Sequence, residues 1–167
     1  MPPLRYPKIL HDNDVDVNDK LKRSYIEGFL PAVCKDFGRA EPAEAQENYC
    51  SAATADIAVL QALSRRIHFG KFVAESKFQS KTEKFTELIR NGDREGLSLA
   101  ITNLAVEKQV LERLALKART YGTDPSGILG QNSQAKINAD AVVAMYKNFV
   151  IPLTKEVEVE YLMQRLN

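Results

Sequence analysis

Arg66, Gly70, Val73 and Lys77 stand at i, i+4, i+7 and i+11. Steps of about 100° per helical residue return all of them to one stripe of a helix surface. Two cations then flank a residue with no side chain and a short one. At a rise of about 1.5 Å per residue the cations lie roughly 16 Å apart along the axis, near enough for two long side chains to converge on one small anion. The pattern describes the floor of a dicarboxylate site. On position alone it equally describes solvated surface charges, the commonest use of Arg and Lys on a helix.

Such a stripe needs a helix, and the stretch from Tyr49 to Phe78 predicts one. From Thr54 onward it has no proline, is rich in Ala and Leu, and repeats apolar residues three and four apart at Ile57, Leu60, Leu63 and Ile67. This reads as a single long helix, the spine of the fold. Residues 1–17 are proline-rich and then acidic, an extended linker-like segment. Asp12, Asp14 and Asp16 do not make a calcium loop, because an EF-hand needs glycine and glutamate where Val17 and Arg23 stand. Asn18 or Asp19 caps a helix carrying Leu21, Tyr25, Ile26 and Phe29, which Pro31 ends or bends. RAEPAEAQEN is a polar connection into the spine.

After the spine, Ser80 and Glu83 form a capping-box pattern, Gly92 is a stop, and Asp93 caps a short helix through Leu99. Thr102 or Asn103 starts a helix to about Arg119 with Val110, Leu111, Leu114 and Ala118 on its inner face, and Gly122 closes it. GTDPSGILGQNSQ reads as a surface loop. A last helical pattern runs from about Asn138 to Leu162 with Pro152 as a kink. EVEVEY alternates like a strand, yet nothing else in the chain offers a strand to pair with it. The expected fold class is all-α, a bundle of long helices in a single domain over 1–167.

Composition narrows the function. With 44% hydrophobic and 27% charged residues, the chain of 167 residues has the makings of a globular core. Its 23 basic and 22 acidic residues leave a formal net charge of +1, which gives no footprint for nucleic acid or an anionic membrane. No apolar run suits a membrane span, and MPPLRYPKIL lacks the apolar core of a signal peptide, so a cytoplasmic protein is expected. Cys34 and Cys50 fit neither a zinc pattern nor a disulfide framework and read as free thiols. Phosphate loops, GxSxG elbows and HExxH motifs are absent, and no metal or cofactor is expected. His68, beside the stripe, reads as a packing or surface residue.

SRRIHFGKFVAESKFQ, at 64–79, resembles the signature helix of the all-helical chorismate mutases of fungi and plants. ITNLAVEKQVLERL, KARTYG and IPLTKEVEVEYLMQRL carry the resemblance to the C-terminus. Weaker echoes lie at Tyr6 to Leu10, Asn18 to Lys20 and FLPAVCKDFG. Glu158 makes the likeness fungal, since plant members have glutamine there. The resemblance implies rearrangement of chorismate to prephenate, in phenylalanine and tyrosine biosynthesis, with no cofactor or metal. Arg66 resembles the arginine that grips a substrate carboxylate, and Lys77 the lysine that contacts a carboxylate and the ether oxygen. Asn103 and Glu107 resemble the pair at the ring hydroxyl, and their i, i+4 spacing puts both on one helical face; Asn103 read alone is an ordinary N-cap. Thr154 resembles a donor to a substrate carboxylate, and Glu158 the acid aimed at the ether oxygen, although alone it reads as a solvated residue.

Ser51 and Thr54 resemble residues that bind a tyrosine or tryptophan effector at a homodimer interface, with Cys50 where glycine is usual. Family members open with helices that have no counterpart here, one of them carrying an arginine for the second carboxylate. The resemblance therefore leaves two expectations, a chorismate mutase or a catalytically silent relative that acts by pairing with another subunit.

Overall fold

The computed structural model describes residues 7–34, 42–121 and 138–167, with the side chains of 42–48 left aside. The predicted loop at 122–134 and the stop at Gly122 lie outside them. Among the described residues all regular structure is helical: α1 (Asn18–Ser24), a π-helical turn (Tyr25–Phe29), α2 (Leu30–Cys34), α3 (Pro42–His68), α4 (Gly70–Ser80), α5 (Thr82–Arg90), α6 (Arg94–Ile101), α7 (Leu104–Thr120), α8 (Ala139–Met145), a second π-helical turn (Tyr146–Val150) and α9 (Ile151–Gln164). The all-α expectation holds, and EVEVEY is helix. Its alternation carries no strand because Val157, Glu158 and Val159 are all buried, as in a helix covered on several sides.

The spine differs from its prediction at both ends. Helix begins at Pro42, inside the predicted connection, because proline suits the first helical turn and Ala and Glu propagate it. It is then interrupted at Phe69. That residue keeps near-helical angles (φ −60°, ψ −19°), and its carbonyl accepts from Phe72 N–H in a tighter i→i+3 bond at 3.0 Å. The weak helix former Gly70 follows at once.

The punctuation is partly as read. Asp93 accepts from Gly96 N–H at 2.8 Å, Asn103 from Val106 N–H at 3.2 Å and Asn138 from Ala141 N–H at 3.0 Å, each an N-cap. Gly92, at φ 65°, makes the left-handed stop after α5. The capping box does not form. Ser80 still belongs to α4, and its hydroxyl donates back to the Lys77 carbonyl at 2.8 Å, leaving Lys81 as a cap without a side-chain bond. Both prolines follow a π-helical turn by two residues, Pro31 after Tyr25–Phe29 and Pro152 after Tyr146–Val150. A widened turn is one way for a helix to take up a ring that cannot donate to the preceding carbonyls.

Contacts divide the chain into two compact units. One comprises the chain up to Val17 with Arg65–Thr102 and Leu153–Asn167. Its core includes Ile67, Ala74, Phe85, Leu97, Val157, Tyr161 and Leu162. Residues 7–17 carry no regular secondary structure and are not simply solvated. Asp12, Asp14 and Asp16 are exposed while Val15 and Val17 are buried. His68, as read, is a packing residue: its Nε2 accepts from Val17 N–H at 3.3 Å and lies 3.8 Å from Asp16 Oδ1.

The other unit comprises Asn18–Ser64 and Asn103–Pro152. Here the two π-helical turns face one another, so that a Cβ added at Gly28 would stand 2.8 Å from the Phe149 ring. Tyr25 donates to Asp56 on α3 at 2.6 Å, and Ser64 on α3 donates to Asn18 at 2.7 Å. The inner face of α7 is only half-buried at Val110, Leu111 and Leu114, with Ala118 fully so. Of the apolar repeat on α3, Leu63 is buried here, whereas Ile57 is 57% exposed.

Candidate functional site

The site is assembled in the first unit by α4 and α9. Gly70 is buried against α9, and a Cβ there would meet Thr154 Cγ2 at 3.1 Å and both Glu158 Cγ and the Thr154 carbonyl at 3.2 Å. A missing side chain in the middle of the cationic stripe thus admits the helix that carries Thr154 and Glu158. Those two stand four apart and share a helical face. Lys77 reaches across to the same place. Its Nζ donates to Glu158 Oε2 at 3.1 Å and to the Ile101 carbonyl at 2.7 Å, at the end of α6.

Glu158 is not the solvated residue that its sequence position alone suggests: its side chain is 10% exposed. Burial pushes its carboxyl above the usual glutamate range, and the opposing pull of the Lys77, Arg66 and Lys155 cations does not cancel that push. The acid form therefore persists to higher pH than in a solvated glutamate, next to a cation that also finds a fixed carbonyl. Arg66, in the last turn of α3, is exposed, and its charge is felt at Glu158. Arg66, Lys77, Thr154 and Glu158 are accordingly brought together within one unit.

Asn103 and Glu107 belong to the second unit and open α7. Asn103 is the N-cap, so its Oδ1 is engaged and its amide N–H groups are what it can still offer. Glu107 N–H donates to the Asn103 carbonyl at 3.0 Å in the same turn. Ser51 and Thr54 are exposed on α3, where Thr54 Oγ1 donates to the Cys50 carbonyl at 2.8 Å.

Sequence reading missed a second polar cluster beside the first. Glu75, 3% exposed in its side chain, accepts from Tyr161 OH at 2.6 Å, Arg165 Nε at 2.7 Å and Nη2 at 3.2 Å, and Gln79 at 3.0 Å. Burial pushes the Glu75 carboxyl up, but the bonds from Arg165, Tyr161 and Gln79 outweigh it and hold it below the ordinary value. A glutamate between Ala74 and Ser76 has no periodic signature. The only hint was the i, i+4 pair Tyr161 and Arg165, a spacing that in a helix sets a phenol and a guanidinium side by side, here at the end of α9 and just beyond it.

A helical array that sets a cationic stripe and a buried carboxyl against one another is an arrangement able to hold a small anion and to stabilise charge on it. The chain belongs to the chorismate mutase type II family, whose model matches residues 49–159. It is 70% identical over 164 residues to the chorismate mutase of Trichoderma parareesei, covering 98% of this chain and 62% of that protein. Identity falls to 38% over 174 residues for the chloroplastic chorismate mutase 1 of Petunia hybrida, with 100% of this chain and 51% of the relative covered. The likeness is thus fungal, and the chain spans about three fifths of the length of the fungal relative. Among solved structures it resembles the chorismate mutase of Candida albicans in complex with L-Trp (TM-score 0.86, 43% identity, 99% of this chain and 60% of that one). It also resembles AtCM1 with tyrosine bound in the allosteric site (TM-score 0.81, 37% identity, 100% and 63%).

Proposed function

We propose that the chain carries out the rearrangement of chorismate to prephenate and that Lys77 and Glu158 supply the electrostatics. The observation that carries this reading is the 3.1 Å contact between the Lys77 ammonium and a buried Glu158 whose carboxyl is pushed above the usual range by burial. The reaction is an intramolecular Claisen-type rearrangement, which makes and breaks bonds within one molecule and needs neither nucleophile nor cofactor. What it needs is a compact near-attack conformer and stabilisation of negative charge growing on the ether oxygen. Arg66 and Thr154 grip carboxylate, one by a guanidinium fork and the other by a hydroxyl. Lys77 and protonated Glu158 donate toward the ether oxygen. Asn103, through its amide N–H groups, and Glu107, as an acceptor, hold the ring hydroxyl.

Tryptophan and tyrosine are the proposed effectors, with Ser51 and Thr54 as their contacts and a second copy of the chain as the partner across that surface. The relatives with tryptophan and tyrosine bound support this part of the reading. The product places the reaction in phenylalanine and tyrosine biosynthesis.

The test is prephenate formation from chorismate by the purified chain, with Lys77→Ala alongside. Removing a preorganised donor to a developing charge costs about 10²–10³-fold in turnover, and that loss is expected. Turnover that survives Lys77→Ala overturns the assignment, and a folded chain with none favours a silent relative that acts by pairing.

A further inference from the structure

Glu75 lies two residues before Lys77 on α4, and Tyr161 three residues after Glu158 on α9. The two helices meet in the same order along both: Gly70 faces Thr154 and Glu158, Glu75 faces Tyr161 and Arg165, and the Arg165 guanidinium sits over the Phe78 ring at 4.6 Å. Apolar packing between helices is non-directional, so it specifies register less sharply than directional hydrogen bonds do. A slide of one residue moves a side chain by about 1.5 Å and turns it by about 100°, which is enough to break a 3.1 Å contact. A buried carboxylate bonded by a phenol, both arms of a guanidinium and an amide tolerates no such slide, since each displaced donor leaves a polar group unsatisfied.

We propose that Glu75, through Tyr161 and Arg165, is the positioning residue of the site, setting the register of α4 against α9 that brings Lys77 to Glu158. The inference deepens the chorismate mutase reading and rests on it for its catalytic consequence. Tyr161 extends the device outward. Its oxygen also accepts from His11 N–H at 3.1 Å, while His11 Nε2 lies 2.9 Å from the Asn167 carbonyl and Gln164 exchanges bonds with Asp14 at 3.2 and 2.6 Å. The segment before α1 is thereby tied to the last turns of α9.

The experiment measures the Glu158 titration midpoint directly, by NMR of protein with 13C-labelled glutamate carboxyls, without ligand. The charges that act on Glu158 are Lys77 on α4, Arg66 on α3 and Lys155 on its own helix. In Glu75→Gln, loss of a nearby negative charge, the unpaired Arg165 cation and any added water all lower the midpoint. Retreat of a cation raises it, and of the three Lys77 acts most strongly, by charge and by hydrogen bond. A rise of about half a pH unit or more is expected in Glu75→Gln and in Tyr161→Phe, which is charge-neutral. With it should come a loss of about 10-fold in kcat at nearly constant KM, as misplacement of a catalytic group predicts.

A midpoint that stays or falls in the folded variants overturns the proposal. Should Glu75→Gln not fold, Tyr161→Phe decides alone. Lys77→Ala in the same titration gives the ceiling of the rise. Retention of turnover in Lys77→Ala would instead sink the functional reading, while the titration still judges the positioning role.

Discussion

A carboxylic acid donates a hydrogen bond at neutral pH only if its surroundings disfavour the anion, and at Glu158 burial outweighs the Lys77, Arg66 and Lys155 cations in doing so. Activity that needs the protonated form is lost as pH rises through this raised value. A profile tilted toward acid is expected for the native chain, with a flat one for Glu158→Gln, whose amide is a neutral donor throughout; equal profiles in a prephenate assay remove Glu158 from the role. Stability follows the same sign. Below the unfolded value near 4.5 both states hold the proton; as pH rises above it the unfolded chain releases its proton first, so the native state loses stability until its own group ionises. Glu158→Gln should accordingly raise the melting temperature at pH 7 relative to the native chain and leave it nearly unchanged near pH 4, read by calorimetry. Asn103 separates two roles in the same way. As a cap it tolerates aspartate, whereas alanine costs about 1 kcal/mol. As a donor through its amide it tolerates neither. Asn103→Asp should therefore melt like the native chain and still lose turnover, and an active Asn103→Asp leaves only the cap.

Between elements, the decisive contact is one atom wide. A methyl at Gly70 would stand 3.1–3.2 Å from Thr154 and Glu158, including a backbone carbonyl that cannot rotate away. Overpacking of this kind typically costs 1–3 kcal/mol. Since α4 must shift relative to α9, Gly70→Ala should also lower kcat by about 10-fold or more. Gly28→Ala is the companion, because its methyl would meet the Phe149 ring in the other unit; a comparable melting shift with little loss of kcat is expected there. Equal losses of kcat in the two variants would show that stability, not register, is being measured. This contact also shows what the sequence carried. The stripe Arg66, Gly70, Val73, Lys77 could be read because helical periodicity places residues on a face, and the caps Asp93 and Asn103 because their side-chain chemistry is local. The break at Phe69, the π-helical turns and the covered state of Glu158 are products of packing between distant segments, on which periodicity is silent. Glu75 illustrates the limit, since its partners lie 86 and 90 residues away.

On the scale of the whole molecule, α3 poses a problem that the described residues do not solve. From Tyr49 to Val59 every side chain is exposed except Asp56, which is half-buried and holds Tyr25. The exposed set includes Tyr49 at 65%, Ile57 at 57% and Val59 at 38%, distributed around the helix and not along one stripe. Most helical stability in proteins comes from burying a face. Scattered apolar residues do not by themselves mark an interaction surface, so a cover over this stretch has to be sought by experiment. Ser51 and Thr54 lie in the same stretch, so the surface proposed to receive an effector is one that the described residues leave open. If a second copy supplies that cover, hydrogen exchange at 49–59 should slow as protein concentration is raised through the association range seen by sedimentation, while exchange in α4 and α9 stays constant. Tryptophan or tyrosine should then shift the association midpoint, because a ligand held between two copies stabilises the pair by mass action. Ile57→Glu, far from Lys77 in sequence and outside the proposed catalytic set, should abolish the concentration dependence. Exchange at 49–59 that is fast and independent of concentration, with or without the amino acids, would remove both the pairing and the effector reading while leaving the Lys77–Glu158 chemistry untouched.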